Sequence, residues 1–249
     1  MINKLAELIK KSKSTVFFGG AGVSTESGIP DFRSESGLYA AQSVYGYPPE
    51  ELLSHTVFER EPALFFRYYK ENLIALDAEP NAAHKALAEL EAQGLLHAVI
   101  TQNIDGLHQA AGSGHVLELH GSNWRQYCTD CKAKYTLAYI LNPQNCRDEV
   151  IPVCGKCGGI VRPDVVLYEE GLDDKVVSAA IAAIASAELL IVGGTSLAVY
   201  PAAGLLRYFH GSHLALINKS ETAYDGSAQL VIRDSIGEVM EEVMKVVVS

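Results

Sequence analysis

The sequence of 249 residues is long enough for one large domain, or for one domain with an insertion. Its composition, with 48% hydrophobic and 20% charged residues, is that of an ordinary globular protein. The net charge of −10 argues against nucleic acid as the main partner, because such binding depends on neutralising phosphates with basic side chains.

No apolar run approaches the ~18 residues that suggest a membrane-spanning helix, and the chain does not open with an apolar segment of signal-peptide length. We therefore expect a cytoplasmic protein with no membrane partner. In such a compartment the five cysteines are better explained by metal binding or catalysis than by disulfides.

Segments with helical spacing of apolar residues alternate along the chain with short apolar strand segments. The predicted helices cover residues 2–11, 61–76, 82–93, 176–187, 201–210 and 236–248. The predicted strands cover residues 15–18, 98–101, 116–119, 189–196, 214–219 and 230–232. Residues 34–49 predict a loop or short helical pieces, and residues 122–164 interrupt the alternation. The pattern predicts an α/β fold with a doubly wound parallel sheet covered by helices on both faces.

The first predicted strand runs directly into a glycine-rich turn, where Gly20 and Gly22 form half of a dinucleotide-binding fingerprint. Ser24 and Thr25 follow and could cap a helix. Thr25 occupies the place of the third glycine, so a tight turn without a ligand explains this stretch equally well. A proline then prevents any helix from continuing. The loop that follows carries Phe32 and Arg33, an aromatic ring and a fixed cation suited to cover a bound nucleotide.

Polar residues follow the other strands, at the edge of a parallel sheet where ligands usually bind. Gln102, Asn103 and Asp105 follow the second strand and offer groups that bind ribose hydroxyls or a carboxamide. His120 follows the third strand and could act as a general base, although a histidine that is merely hydrogen-bonded at a strand end would look the same. Two pairs after later strands are equally typical of ordinary turns, namely Thr195–Ser196 and Asn218–Lys219.

A hydride-transferring dehydrogenase usually carries an acidic residue at a strand end about 20 positions after the glycines, where it binds the adenosine ribose. In this sequence that region is rich in Ser, Tyr and Pro and does not read as a strand. A nucleotide would therefore be held differently here.

Four of the five cysteines form two Cys-x-x-Cys pairs separated by 22 residues, Cys128 with Cys131 and Cys154 with Cys157. Four thiolates on two such turns predict a structural zinc site, with no position left for a reacting water. Cys146 lies outside the pairs and is expected to be a free thiol. Basic and acidic residues are interleaved around the pairs, so a nucleic-acid-binding ribbon is not favoured.

Taken together, these motifs resemble those of the sirtuin family of NAD-dependent protein lysine deacylases, and the layout is similar to that of the bacterial members. The matching motifs are Gly20-Ala-Gly-x-Ser24, Gly28-Ile-Pro-Asp-Phe-Arg33, Thr101-Gln-Asn-Ile-Asp-Gly-Leu-His108, Leu119-His-Gly121, the two Cys-x-x-Cys pairs, Gly194-Thr-Ser196 and Ile217-Asn-Lys219. The resemblance implies a Rossmann-like NAD-binding domain made of residues 1–33, 82–121 and 165–249. It also implies a smaller domain, in which residues 34–81 form a helical module and residues 122–164 form a zinc-ribbon module.

The resemblance further implies the chemistry. The acyl oxygen of an acetylated lysine attacks the ribose C1′ of NAD, and nicotinamide leaves. His120 then takes a proton from the ribose hydroxyls so that the acetyl group passes to ADP-ribose, and Asn103 is the second catalytic residue. The residues implied to contact NAD are Gly20, Ala21, Gly22, Ser24, Thr25, Phe32, Arg33, Gln102, Asn103, Ile104, Asp105, His120, Gly194, Thr195, Ser196, Asn218, Lys219, Asp234 and Ser235.

The implied partners are acetylated proteins or peptides. Their acyl-lysine and backbone are implied to contact Val165, Val166 and Tyr168. Glu169 departs from the family pattern, in which a glycine usually precedes the glutamate. Family members that prefer succinyl or malonyl groups carry Tyr-x-x-Arg in the helix that corresponds to residues 62–76. The nearest match here, Phe66-x-x-Tyr69, lacks the cation, which predicts a preference for acetyl or a longer apolar acyl group.

Two other functions are compatible with the same motifs. Mono-ADP-ribosyl transfer to protein shares the step in which nicotinamide leaves and could use the same residues. A non-enzymatic module that binds acyl-lysine or a nucleotide would need no general base at His120.

Overall fold

The computed structural model describes residues 1–30 and 42–248. Its helices are α1 (Ile2–Lys11), α2 (Pro49–Leu52), α3 (His55–Arg60), α4 (Pro62–Asn72), α5 (Ala82–Ala92), α6 (Leu107–Ala111), α7 (Leu137–Leu141), α8 (Asp174–Ser186) and α9 (Ile236–Val247). Its strands are β1 (Thr15–Gly19), β2 (Ala98–Thr101), β3 (Val116–Glu118), β4 (Gly121–Cys128), β5 (Lys134–Thr136), β6 (Cys146–Arg147), β7 (Ile151–Pro152), β8 (Val161–Val165), β9 (Leu189–Gly193), β10 (His213–Ile217) and β11 (Leu230–Ile232). Within the described part of the chain, no helix combines the length and the apolar character needed to cross a membrane.

In the described residues, six strands form a parallel sheet in the order β11-β10-β9-β1-β2-β3. Phe18 of β1 pairs with Ile100 of β2 on one side and with Val192 of β9 on the other. The chain builds the sheet outward from β1 in one direction and then from β9 in the other, which makes the sheet doubly wound. The predicted α/β fold is confirmed, and its strand order places a crevice between the carboxyl ends of β1 and β9.

Two apolar layers cover the faces of this sheet. Successive residues of a strand point to opposite faces, so Phe17 packs toward α1, α5 and α9 while Phe18 packs toward α8. Both side chains are fully buried, as are the strands on either side of β1. Strands buried on both faces explain why the sequence shows uniformly apolar runs rather than alternation.

A second, smaller body of structure holds the interrupting segment. Strands β4, β5 and β8 form an antiparallel sheet, and β6 pairs with β7. Its apolar cluster joins Phe65 and Phe66 of α4 to Cys128, Cys154 and Val161. Helices from residues 55–72 and the cysteine-bearing strands therefore share one core, as expected for the predicted small domain, whose boundaries stay a prediction.

Three local predictions differ from the structure. Helix α3 was not predicted, although the Ser54 side chain caps it by accepting a hydrogen bond from Val57 N at 3.1 Å. The segment at 201–210 forms a 3₁₀ helix at Ala202–Tyr208 rather than an α-helix. The segment after Gly20 forms two short 3₁₀ turns, so the Ser24 side chain caps no helix and takes part in the site described below.

Candidate active site

A cleft of about 310 Å³ lies at the carboxyl edge of the parallel sheet, between the sheet and the smaller body. It is lined by most of the residues that the motifs singled out. Those lining it are Gly20, Ala21, Ser24, Gln102, Asn103, Ile104, Asp105, His120, Val165, Val166, Tyr168, Gly194, Thr195 and Ser196. The strand ends bring together residues that are far apart in sequence.

The glycines allow two turns to touch at the crevice. Gly22 N donates to Gly194 O at 2.8 Å, and a β-carbon on Gly22 would lie 2.8 Å from the Cα of Gly194. Gly194 itself has a φ of +59°, which favours glycine. A β-carbon on Gly20 would lie 2.8 Å from Thr195 Cβ. Side chains at these positions would force the turns apart, so the glycines are required by packing as well as suited to close approach of a phosphate.

A buried hydrogen-bond network orients the polar groups after β2. Asn103 Nδ2 donates to Ser24 Oγ at 3.0 Å, and Ser24 Oγ donates to Asp105 Oδ2 at 2.6 Å. The other carboxylate oxygen of Asp105 accepts from Leu107 N at 2.9 Å. Gln102 Nε2 donates to Thr195 Oγ1 at 3.1 Å, which ties the β2 turn to the β9 turn. The network fixes an amide and a carboxylate beside the glycine turn.

His120 lies in the short connection between β3 and β4, directly before Gly121, and is half-buried in the same cleft. Its Nδ1 is 2.8 Å from Gln102 O. Since a carbonyl oxygen can only accept, Nδ1 carries the hydrogen and Nε2 is the nitrogen that can take up a proton. The His120 carbonyl accepts from Val166 N at 3.0 Å. The imidazole therefore lies next to Val165–Tyr168, the residues predicted to contact the peptide and called the substrate segment below.

That substrate segment continues β8 along the wall of the cleft. Tyr168 forms a parallel bridge with Ser54, and its side chain is 38% exposed. Two residues after Tyr168, the Glu170 carboxylate accepts through Oε1 from Arg162 Nη1 at 2.6 Å. Partial burial alone would raise the pKa of Glu170, but the hydrogen bonds from Arg162 and the Leu167 amide lower it to about 2.

Some predicted residues lie elsewhere. Thr25 Oγ1 donates to Gly22 O at 3.1 Å, and neither residue lines the cleft. Four residues at the ends of β10 and β11 share the sheet edge but are also outside the cleft, namely Asn218, Lys219, Asp234 and Ser235. Phe32 and Arg33 fall outside the described residues.

Two residues of β4 that no motif singled out also line the cleft. Trp124 is 52% exposed, and its Nε1 donates to Asp105 O at 2.7 Å. Asn123 is buried and accepts a hydrogen bond from Tyr69 OH at 2.8 Å. The only sign of them in the sequence is their position just after His120-Gly121, one of them being the sole tryptophan.

Two buried histidines pack behind the polar network. The ring centroids of His84 and His108 are 4.7 Å apart, and each side chain is almost fully buried. Burial lowers the pKa of both, while the charge of Asp105 opposes that effect at His84. Both imidazoles are therefore neutral at pH 7 and are distinct from His120, which lines the cleft.

The four paired cysteines converge on one point of the smaller body. Their Sγ atoms all lie within 4.8 Å of one another, with Cys128 3.5 Å from Cys157 and Cys131 3.6 Å from Cys154. A tetrahedral zinc with bonds of about 2.3 Å would set sulfur atoms about 3.8 Å apart, so the set fits that ion. The Tyr135 hydroxyl, 3.0 Å from Cys154 Sγ, lowers the pKa of that thiol to about 6, which favours the thiolate.

Comparisons with known proteins give a consistent result. A model of the Sir2 family matches residues 20–201. A relative from Clostridium acetobutylicum, named NAD-dependent protein deacetylase, is 59% identical over 98% of each chain. One of the same name from Staphylococcus aureus (strain Mu50) is 44% identical, again over 98% of each chain.

Similar solved structures include a Sir2 protein with a deacetylated p53 peptide and 3′-O-acetyl ADP ribose. Its TM-score is 0.88 at 38% identity, with 98% of this chain and 97% of that one covered. A Sir2 structure with a p53 peptide and NAD⁺ has a TM-score of 0.86 at 39% identity, covering 98% of each chain.

Proposed function

This chain belongs to the Sir2 family, and from that membership we propose that it is an NAD-dependent protein lysine deacetylase. It transfers the acetyl group of an acetylated lysine to the ADP-ribose part of NAD. Water is consumed, and nicotinamide, O-acetyl-ADP-ribose and the free lysine are released. The names of its relatives and the ligands of the similar Sir2 structures support this reaction.

The observation that carries the proposal is that a single cleft joins most of the residues that the motifs predict for NAD and the peptide. The glycine turn after β1, the amide and carboxylate after β2, and His120 after β3 line one cavity together with Val165–Tyr168. A nucleotide at the carboxyl edge of the sheet would therefore meet a peptide lying along the substrate segment.

In this proposal the described residues that hold NAD are those predicted from the motifs. NAD supplies a ribose carbon from which nicotinamide can leave and an acceptor for the acetyl group. The backbone of the glycine turn binds the pyrophosphate, because backbone N–H groups can approach it closely there. Asn103 and Asp105, already oriented through Ser24, face the nicotinamide end.

We assign the role of general base to His120. Gln102 O holds the Nδ1 hydrogen, so Nε2 receives the proton that a ribose hydroxyl gives up. The hydrogen bond from Val166 N to the His120 carbonyl supports this assignment. It keeps the base beside Val166, one of the residues predicted to contact the acyl-lysine.

The lining of the cleft favours an uncharged acyl group. None of the described residues that line it is a lysine or an arginine, whereas Glu50, Asp105, Glu169 and Glu170 do line it. Tyr69, at the position suggested for acid recognition, is buried and hydrogen-bonded to Asn123. A succinyl carboxylate would meet no cation among these described lining residues, so we propose acetyl or longer apolar groups as substrates.

The cysteine cluster is proposed to hold a structural zinc. Four thiolates complete a tetrahedral shell and leave no place for a reacting water. The zinc would hold together the turns of the smaller body, whose core includes Cys128 and Cys154.

We also propose a cytoplasmic location and no nucleic-acid partner. Thiols gathered for a metal rather than paired in disulfides fit a reducing compartment, and the net charge of −10 disfavours binding to phosphates.

The test is mass spectrometry of matched acetyl-, succinyl- and long-chain acyl-peptides incubated with the protein, with and without NAD. We expect free lysine peptide and O-acetyl-ADP-ribose only when NAD is present, and no turnover of the succinyl peptide. ADP-ribose attached to protein would indicate a transferase, and NAD binding without nicotinamide release would indicate a binding module.

A further inference from the structure

Glu169 has a backbone conformation that a residue with a side chain rarely adopts. Its φ is +76°, in the left-handed region that favours glycine. It directly follows Tyr168, at the end of the substrate segment, and it lines the cleft. Some interaction must stabilise this residue in a conformation that glycine would adopt more easily.

The Glu169 carboxylate is bound to the helical module. Its Oε2 accepts from Thr56 Oγ1 at 2.7 Å and from Thr56 N at 2.9 Å. The Thr56 amide lies in the first turn of α3, where backbone N–H groups lack partners within the helix. These two hydrogen bonds lower the pKa of Glu169, so the carboxylate is anionic at neutral pH and the contacts are charge-assisted.

Neighbouring bonds join the same two pieces of chain. Tyr168 N donates to Leu53 O at 3.0 Å, and His55 N donates to Tyr168 O at 3.0 Å. His55 Nδ1 lies 2.9 Å from Glu170 Oε1. Three consecutive residues from the end of the substrate segment onward, Tyr168 to Glu170, are thus each bonded to residues 53–56. Among these bonds, those to Thr56 are made by the Glu169 side chain.

We propose that Glu169 is a positioning residue for the peptide substrate, acting through a clamp between its carboxylate and Thr56. The clamp holds the end of Val165–Tyr168 against the helical module. It thereby fixes the position of the strand with which the peptide backbone pairs. This inference rests on the proposed deacetylase function. In this proposal the carboxylate binds Thr56 of the protein itself and does not contact charged side chains of the peptide.

The kinetic test uses the full chain with Glu169→Gly, Thr56→Val and both changes together. Three acetyl-peptides that differ only in carrying a basic, neutral or acidic residue beside the acetyl-lysine serve as substrates. We expect each single change to raise the KM of all three peptides by roughly three- to tenfold, while kcat and the KM of NAD stay within about twofold. The double variant should be no worse than the worse single one, because both remove the same contact.

Two variants serve as controls. Thr56→Ser keeps both donors and should restore the KM of the peptides to within about twofold of the wild-type value. Glu221→Gly changes an exposed glutamate that does not line the cleft and should have no effect. An unchanged peptide KM in both Glu169→Gly and Thr56→Val, or a loss confined to the basic peptide, would overturn the clamp.

Hydrogen exchange tests the clamp without relying on turnover. The amides of residues 165–170 should exchange faster in Glu169→Gly than in the wild type or Glu221→Gly, and unchanged exchange would refute the clamp. If the wild type turns over none of the three peptides, the proposed function fails, and the exchange rates still decide whether the clamp exists.

Discussion

The hydrogen bond between His120 Nδ1 and Gln102 O decides which ring nitrogen can take up a proton. With Nδ1–H directed to Gln102 O, the basic nitrogen is Nε2, in a cleft shared with the substrate segment. A base held by a backbone carbonyl keeps its tautomer regardless of side-chain motion nearby. The proposed role of His120 as general base depends on this orientation.

We expect His120→Ala to fold normally and to lose deacetylation by at least about 100-fold, the usual contribution of a positioned general base. Its melting temperature should match that of the wild type within a few degrees. His115→Ala is a matched control, because Nδ1 of His115 also lies near a backbone carbonyl, 2.7 Å from His97 O, but His115 does not line the cleft. Full activity in His120→Ala would refute the assigned base.

A second residue-scale prediction concerns the contact between the two glycine turns. Gly22→Ala places a methyl group 2.8 Å from the Cα of Gly194, and backbone cannot move aside as a side chain can. We expect NAD affinity, measured by calorimetry, to fall by about tenfold or more. Gly226→Ala, where nothing lies within 4 Å of the added carbon, should bind NAD as the wild type does. Equal affinity in the two variants would contradict the pyrophosphate site.

Sequence motifs predicted many of the residues that line the cleft but not the hydrogen bonds between them. The strand ends at β1, β2 and β3 could be read from apolar runs followed by glycine, amide or histidine, and the fold brings these ends together. The bond between Ser24 and Asp105 spans 81 residues, and no local pattern predicts which hydroxyl a carboxylate will meet. For the same reason Ser24 was expected to cap a helix.

At the scale of elements, prediction succeeded where packing and local preference agree. Strand β2 matches its predicted bounds, and α5 begins after Asn81, whose side chain accepts from Ala83 N and His84 N as a capping residue. The 3₁₀ helix at Ala202–Tyr208 was predicted with the wrong type, because its apolar spacing also suits an α-helix. Its buried residues belong to the apolar cluster around Phe18, a contact between segments that the sequence does not reveal. Short helices such as α3 carry too few residues for a periodic signal.

The zinc module supplies the element-scale prediction. Cys154→Ala should reduce bound zinc, measured by elemental mass spectrometry, from about one equivalent per chain to near zero. It should lower the melting temperature by about 5 °C or more, because the cluster shares a core with α4. Cys146→Ala, which changes a cysteine outside the cluster, should keep its zinc. Normal zinc content in Cys154→Ala would contradict the four-thiolate site.

At the scale of the whole molecule, stability should depend on acid pH through the two buried histidines. In the unfolded chain His84 and His108 titrate near pH ~6.5, whereas burial lowers their pKa in the folded protein. Below pH ~6.5 the unfolded state therefore binds more protons, and acidification favours unfolding until the folded pKa values are reached.

We expect the free energy of unfolding in urea to fall between pH 6.5 and 5 by up to ~1.4 kcal/mol per pH unit for each histidine. His108→Gln should show a shallower fall, while His115→Gln, which changes an exposed histidine, should show the wild-type slope. The same slope in all three proteins would contradict the account of the buried pair.

The molecule as a whole places a doubly wound sheet and a zinc-bearing body on either side of one cleft. The fold class and the family could be predicted because the motifs span most of the chain and several of them follow strands of the parallel sheet. The division into two domains stays a prediction, and so does the preference for acetyl or a longer apolar acyl group. The placement of Tyr69 and Trp124 beside the cleft comes only from the folded structure.

The most direct test of the central claim is a crystal structure of the wild-type protein with NAD and an acetyl-lysine peptide. We predict the nucleotide over the strand ends, with the peptide along Val165–Tyr168 and Nε2 of His120 facing the ribose of the nicotinamide. A nucleotide bound elsewhere, or a His120 ring turned into the protein away from that ribose, would contradict the account.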